Sequence, residues 1–169
     1  MRMVFDLDVE KCVACGACAV SCMDQNDIWP DRGDAPYRRV GVVEPLPKAG
    51  DGRLTYLSLG CMHCADAPCI KACPVGCLFK DEQNLTLYDN TRCIGCHSCA
   101  MACPFGAPTY GPDGKMRKCD GCAERLKNGL IPACVRNCPT GALTCVPEET
   151  YGASAFDRSL RAIVERAER

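Results

Sequence analysis

Residues 93–104 read CIGCHSCAMACP, which places Cys93, Cys96, Cys99 and Cys103 in one short run closed by Pro104. Thiols at that density serve disulfides, a zinc ion or an iron-sulfur cluster, and recurrence of the pattern separates the three. It returns three times. Residues 12–22, CVACGACAVSC, repeat the intervals with Cys12, Cys15, Cys18 and Cys22, and put Met23 in the proline's place. Residues 61–74, CMHCADAPCIKACP, lengthen the gap before the third thiol and give Cys61, Cys64, Cys69 and Cys73 ahead of Pro74. The last copy is stretched, with Cys119 and Cys122, eleven intervening residues, and then CVRNCP carrying Cys134, Cys138 and Pro139. Sixteen of the 18 cysteines are used in this way.

A short chain this rich in cysteine suggests first an oxidised, secreted scaffold. The N-terminus MRMVFDLDVEKC argues otherwise, because it has no apolar run of about 7–15 residues and no small-residue cleavage site. Zinc accounts for C-x2-C pairs, but not for a third cysteine two residues further on, nor for a fourth followed by proline. The run C-x2-C-x2-C-x3-C-P is the ligand run of bacterial ferredoxins, in which three thiolates hold one [4Fe-4S] cube and the fourth reaches a second cube.

Composition fits a fold organised around clusters. Apolar residues make up 47% of the chain with cysteine counted and about 36% without it, and aromatics only 6%. So little core material implies that cluster insertion and folding are coupled. The formal charge is −1 with neutral thiols; four oxidised cubes at roughly −2 each take the loaded protein to roughly −9. That balance disfavours nucleic acid as a partner, and no run of about 18 apolar residues is present to span a membrane.

Three repeats share a turn after the fourth cysteine: PVGC at Pro74–Cys77, PFGA at Pro104–Ala107 and PTGA at Pro139–Ala142. Proline presets its own φ and glycine permits a turn closed to other residues. Cys77 stands where the other copies have alanine and reads as a small buried side chain, as does Cys145 in GALTCVP. Alternation predicts short strands at Val4–Asp8 and Leu85–Asp89. The inserted segment 23–60 holds two more, Arg38–Val43 and Leu54–Leu59, around the turn-rich EPLPKAGDG. That segment is either a cover over clusters or a surface for a partner. In residues 148–169, Phe156, Leu160, Ile163 and Val164 share one face of a predicted amphipathic helix capped by Ser154.

No dinucleotide or nucleotide motif is present. The two histidines, His63 and His97, lie inside cysteine loops and are expected to be exposed or to sit behind the ligands. Lys11, Arg92 and Lys118 each precede the first cysteine of a motif, where they either raise cluster potentials or are simply solvated.

With these motifs in order, and with CMHCADAPC, CIGCHSCAMACPFGAPTY and KCDGC followed by CVRNCPTGAL, the chain resembles the four-cluster iron-sulfur subunits of the dimethyl sulfoxide reductase type of molybdenum and tungsten enzymes over roughly residues 3–146. The resemblance implies an α+β fold over residues 1–147: tandem ferredoxin-like units, two dicluster pairs about a pseudo-two-fold, built of short strands, short helices and cluster-binding loops. Motifs 12–22 and 119–138 form one pair, and motifs 61–73 and 93–103 the other. It implies four [4Fe-4S] clusters held by Cys12, Cys15, Cys18 with Cys138; by Cys119, Cys122, Cys134 with Cys22; by Cys61, Cys64, Cys69 with Cys103; and by Cys93, Cys96, Cys99 with Cys73.

The implied protein is not itself an enzyme but an electron-transfer subunit. It would work between a pterin-containing catalytic subunit and a second redox partner, a flavin subunit or a ferredoxin, in the cytoplasm or exported with a partner that carries the signal. Size suggests similarity to the polyferredoxin-like small subunit of tungsten aldehyde oxidoreductases. A soluble hydrogenase- or formate-linked polyferredoxin and a cluster carrier are the alternatives, and two exposed terminal clusters would allow self-stacking.

Overall fold

The computed structural model describes residues 1–44 and 54–152. Its elements are β1 (Met3–Leu7), α1 (Ala17–Gln25), a 3-10 turn (Pro30–Arg32), β2 (Arg39–Val43), β3 (Thr55–Leu59), α2 (Pro68–Lys71), β4 (Leu78–Lys80), β5 (Thr86–Tyr88), α3 (Ser98–Ala102), β6 (Thr109–Tyr110), β7 (Met116–Arg117), α4 (Ala123–Lys127), α5 (Ala133–Arg136) and β8 (Leu143–Pro147). The predicted strands are therefore present with ends moved by a residue or so. EPLPKAGDG lies almost wholly outside the described residues. Residues 148–152 are helical, and the apolar face predicted from Phe156 to Val164 lies outside the described residues.

The strands form four two-stranded antiparallel ribbons, β1–β8, β2–β3, β4–β5 and β6–β7. Their order is a ring. β2–β3 joins the first cysteine motif to the second, β4–β5 the second to the third, β6–β7 the third to the fourth, and β1–β8 closes the fourth onto the first. Ribbons this short have little stability alone, so helix pairs and cysteine loops must hold them. α1 packs on α5, and α2 on α3, which brings motif one to motif four and motif two to motif three.

Apolar packing is divided among small clusters. Phe5, Leu85 and Ala123 form one, joined by Met3, Leu87, Leu126 and Cys145, and this ties the β1–β8 ribbon to the β4–β5 hairpin. The other clusters are built largely from cysteines: Cys69, Cys77 and Cys99 with Leu78 and Met116, Cys18 and Cys134 with Leu143, and Cys61 and Cys119 with Ala107. The core is thus made in large part of cysteines of the four motifs. Among the described residues no helix is long and apolar enough to cross a membrane.

Candidate metal centres

Four of the five helices, α1, α2, α3 and α5, carry the third cysteine of a motif and stand just before or around the fourth. Cys18 and Cys22 lie four apart on α1, Cys69 and Cys73 at α2, Cys99 and Cys103 at α3, and Cys134 and Cys138 at α5. At 3.6 residues per turn and about 1.5 Å rise, such a pair projects from one face roughly 6 Å apart. One helix therefore offers one thiol to each of two neighbouring centres. Before the second cysteine of every motif the backbone is left-handed: Ala14 (φ 53), His63 (φ 46), Gly95 (φ 67) and Gly121 (φ 75). This curls the first two thiols around a common space, and alanine and histidine adopt it at a steric cost.

The thiols gather as follows. Cys12, Cys15, Cys18 and Cys138 line one cavity, with Val40 and Ser58 forming part of its wall. Cys73, Cys93, Cys96 and Cys99 line another, with Cys77, His97, Tyr110 and Met116. Burial pushes the Cys22 thiol up to about 12, and neighbouring Cys134 and Cys122 add to this while Arg38 opposes it; Cys119, raised well above its ordinary value by burial, feels Cys61 and Cys22. Cys22, Cys119, Cys122 and Cys134 thus stand together, all four buried. Burial also raises Cys69, which feels Lys118, Cys61 and Cys103, and Cys61 and Cys103 pack in one cluster; Cys64 is near Cys69.

The four groups form a row. Cys18 packs in one cluster with Cys134 of the next group, Cys119 in one cluster with Cys61 of the third, and Cys69 in one cluster with Cys99 of the fourth. Among the described residues only Cys15 and Cys96 are exposed cysteines, and they belong to the two end groups.

The donor set fits clusters better than single ions. Among the described residues no three His, Cys, Asp or Glu side chains converge tightly enough to hold one metal ion, whereas zinc with bonds of about 2.3 Å would draw its thiolates close. The motif sulfurs also accept hydrogen bonds, which stabilise the thiolate form. The turn after the fourth cysteine aims a backbone N–H back at its sulfur: Cys77 N–H to Cys73 Sγ at 3.3 Å, Ala107 N–H to Cys103 Sγ at 3.4 Å and Leu143 N–H to Cys138 Sγ at 3.4 Å. The first motif lacks the proline and this turn. There α1 continues past Cys22, and Asn26 Nδ2 approaches Cys22 Sγ at 3.7 Å instead. Met116 N–H donates to Cys93 Sγ and Gly121 N–H to Cys119 Sγ, each at 3.3 Å.

The remaining residues sort clearly. Cys77 is buried and its Sγ lies 3.4 Å from Cys73 Sγ, so with Cys73 ionised its S–H donates; against the desolvation that raises it, the Cys77 N–H and S–H hold Cys73 below its ordinary value. Cys145 lies in β8 on the Phe5 cluster, and burial pushes its thiol up to about 12. His63 is not exposed. It is 1% accessible, stacks on Phe5 at 5.3 Å and accepts the Thr86 N–H at Nδ1; burial depresses its basicity, with Lys118, Lys80 and Arg38 adding. His97 stacks on Tyr110 at 3.8 Å, and the Tyr110 hydroxyl lies 3.4 Å from Cys99 Sγ.

The three cations in front of the motifs also separate. Lys11 and Arg92 are exposed and paired with Asp8 and Asp89. Lys118 is 1% accessible, and its Nζ donates to the carbonyls of Thr86 and Cys119. Two residues of the inserted segment carried no sequence signal: Ser58, whose Oγ lies 3.1 Å from Cys18 Sγ, and Arg38, buried against Ser58. The β2–β3 ribbon is thus a cover over the Cys12 group, while Val42, Val43 and Leu59 remain exposed.

A family model described as a 4Fe-4S dicluster domain matches residues 53–148, and a second model of the same description matches residues 11–77. The chain is similar to the probable anaerobic dimethyl sulfoxide reductase chain YnfG of Escherichia coli (strain K12), 38% identical over 153 residues, covering 86% of this chain and 73% of that protein. It is also similar to the thiosulfate reductase electron transfer subunit PhsB of Salmonella typhi, 40% identical over 80% of this chain and 71% of that one. The arsenate respiratory reductase iron-sulfur subunit ArrB of Shewanella sp. (strain ANA-3) is 34% identical over 88% of this chain and 62% of its own length.

Proposed function

Because this chain belongs to the 4Fe-4S dicluster family, among the iron-sulfur subunits of reductases of the dimethyl sulfoxide reductase type, we propose that it is an electron-transfer subunit holding four [4Fe-4S] clusters in a row. Each cluster, when bound, supplies one-electron redox chemistry at a potential set by charge, sulfur hydrogen bonds and exposure. The ligand sets are Cys12, Cys15, Cys18 with Cys138; Cys119, Cys122, Cys134 with Cys22; Cys61, Cys64, Cys69 with Cys103; and Cys93, Cys96, Cys99 with Cys73. Packing of α1 on α5 and of α2 on α3 supports a pseudo-two-fold between two dicluster pairs.

One observation carries the reading. The exposed thiols Cys15 and Cys96 belong to groups at opposite ends of the row, and the four thiols of the Cys119 group between them are all buried. A wire needs that arrangement, with shielded interior sites and one accessible site at each end. A carrier that hands its cluster on needs an open, releasable site, and ligands drawn from distant motifs do not provide one. One end faces a pterin-containing catalytic subunit carrying molybdenum or tungsten, and the other faces a second redox partner, a flavin subunit or a ferredoxin.

The first test is elemental. Anaerobically purified protein should hold about sixteen iron and sixteen acid-labile sulfide per chain, from four cubes; iron near eight, or stoichiometric zinc, refutes it. The second is functional: the reduced catalytic partner should pass electrons to the acceptor much faster with this subunit than without it.

A further inference from the structure

Arg38 is the least expected side chain of the inserted segment. It is 4% accessible although it stands just before β2, next to the exposed Arg39. Its Nη1 donates to both the carbonyl and the hydroxyl of Ser58, each at 3.1 Å. That hydroxyl lies 3.1 Å from Cys18 Sγ in the Cys12 group. Cys134 of the Cys119 group packs in one cluster with Cys18, and the Arg38 charge lowers both Cys134 and Cys22 of that group against the burial that raises them.

Gly60 closes over it. A Cβ there would stand 3.2 Å from Arg38 Nη2 and 3.3 Å from Cζ, so the absence of a side chain leaves the planar fork its place. Among the described residues no carboxylate pairs with it; the ion pairs present use Arg2, Lys11, Lys71, Arg92 and Arg117. A buried cation is tolerated only where charge or hydrogen bonding compensates its desolvation. The negative charge within reach is that of the thiolates, which must be deprotonated to bind metal.

We propose that Arg38 is a positioning residue shared by the Cys12 and Cys119 groups, its buried charge favouring the reduced form of the clusters they hold and keeping those two potentials high and close together. The inference rests on the four-cluster reading above. Reduction adds one negative charge to a cluster, and a fixed cation nearby stabilises the more negative state. Because the guanidinium reaches Cys18 through the Ser58 hydroxyl and acts by charge on Cys22 and Cys134, its loss acts on two clusters together and spares the Cys61 and Cys93 groups. The inserted segment therefore does more than cover: it delivers a charge to one half of the wire.

The test is a redox titration of the whole chain followed by electron paramagnetic resonance, with signals assigned through Cys15→Ser and Cys122→Ser. The parent protein is measured first, and fewer than four clusters there overturns the four-cluster reading rather than this one. In Arg38→Gln, the reduction equilibria of the clusters in the Cys12 and Cys119 groups should fall about tenfold or more, about 59 mV for a one-electron couple. The other two clusters should stay unchanged, as should all four in the neighbouring Arg39→Gln. If Arg38→Gln fails to load iron, Arg38→Lys, which retains the charge, should restore both the iron and the two potentials. Equal shifts in all four clusters, no shift, or a lysine variant displaced as far as the glutamine variant overturns the proposal.

Discussion

Gly95, just before Cys96, and Gly16, just after Cys15, both adopt left-handed backbone beside the second cysteine of a motif, and their alanine variants should behave differently. Gly95 has φ +67, and a Cβ built on it would lie 2.6 Å from the carbonyl oxygen of Gly114. Gly16 has φ +78 with nothing within 4 Å of its Cβ position. Alanine at either position incurs the left-handed cost of about 1–2 kcal/mol; Ala14, at φ 53, already bears it.

Only Gly95→Ala adds a collision, and the atom it meets is backbone. Gly114 is held in the β6–β7 turn, where its N–H donates to the Gly111 carbonyl at 2.9 Å and the Lys115 amine reaches the Asn90 carbonyl at 3.0 Å. Displacing such a segment costs about 1–3 kcal/mol more. Gly95 lies between Cys93 and Cys96, so the strain falls on the loop that offers both thiols. With about 1.4 kcal/mol per tenfold, loss of visible cluster absorbance under a chelator should be roughly tenfold faster in Gly95→Ala than in Gly16→Ala. Iron should approach about twelve per chain as one cube of four is lost. Equal iron contents and equal bleaching rates in the two variants would refute the steric argument.

Cys22→Ser should perturb the cluster held by Cys119, Cys122 and Cys134 and leave that of Cys12, Cys15 and Cys18 comparatively intact, as read by resonance signals of the assigned clusters; the reverse shows self-contained motifs. Asn26→Ala removes the side-chain donor at 3.7 Å from Cys22 Sγ and should lower the potential of that same cluster alone in a redox titration. Lys118→Met leaves the buried carbonyls of Thr86 and Cys119 without their donor, at about 1–3 kcal/mol for each group left unpaired, whereas Lys11→Met at an exposed pair should change stability by less than about 0.5 kcal/mol; chelator-free denaturation compares the two. Iron removal should abolish cooperative unfolding and most secondary-structure circular dichroism, because the thiols make up much of the core.

Much of this was legible because cluster chemistry is written locally. Two thiols two residues apart need a tight loop, and a third and fourth separated by three residues need one helical turn; both are properties of a short segment. The PxG turn was readable for the same reason, as was the Met23 that stands in place of its proline after Cys22. Asn26 was not readable as a donor to Cys22, since an asparagine four residues on is common and only the continuation of α1 aims it at the sulfur. Lys11, Arg92 and Lys118 occupy the same place relative to a motif, yet only Lys118 is buried. Nothing local distinguishes them, because burial depends on the β4–β5 hairpin that packs across Lys118. His63 was expected to be exposed or behind the ligands, and the contact of β1 with β5 buries it under Phe5.

By itself the sequence determined which residues are ligand candidates, how they divide into four motifs, and that redox iron rather than zinc suits them, since spacing along a chain fixes what one loop can hold. Which group neighbours which, which two thiols lie open at the ends, and that an arginine from the inserted segment lies between two groups were decided only by the tertiary structure. These depend on α1 meeting α5 and α2 meeting α3 across more than a hundred residues in the first case and about thirty in the second. Charge and solvent access act through space, and spacing along the chain does not record them.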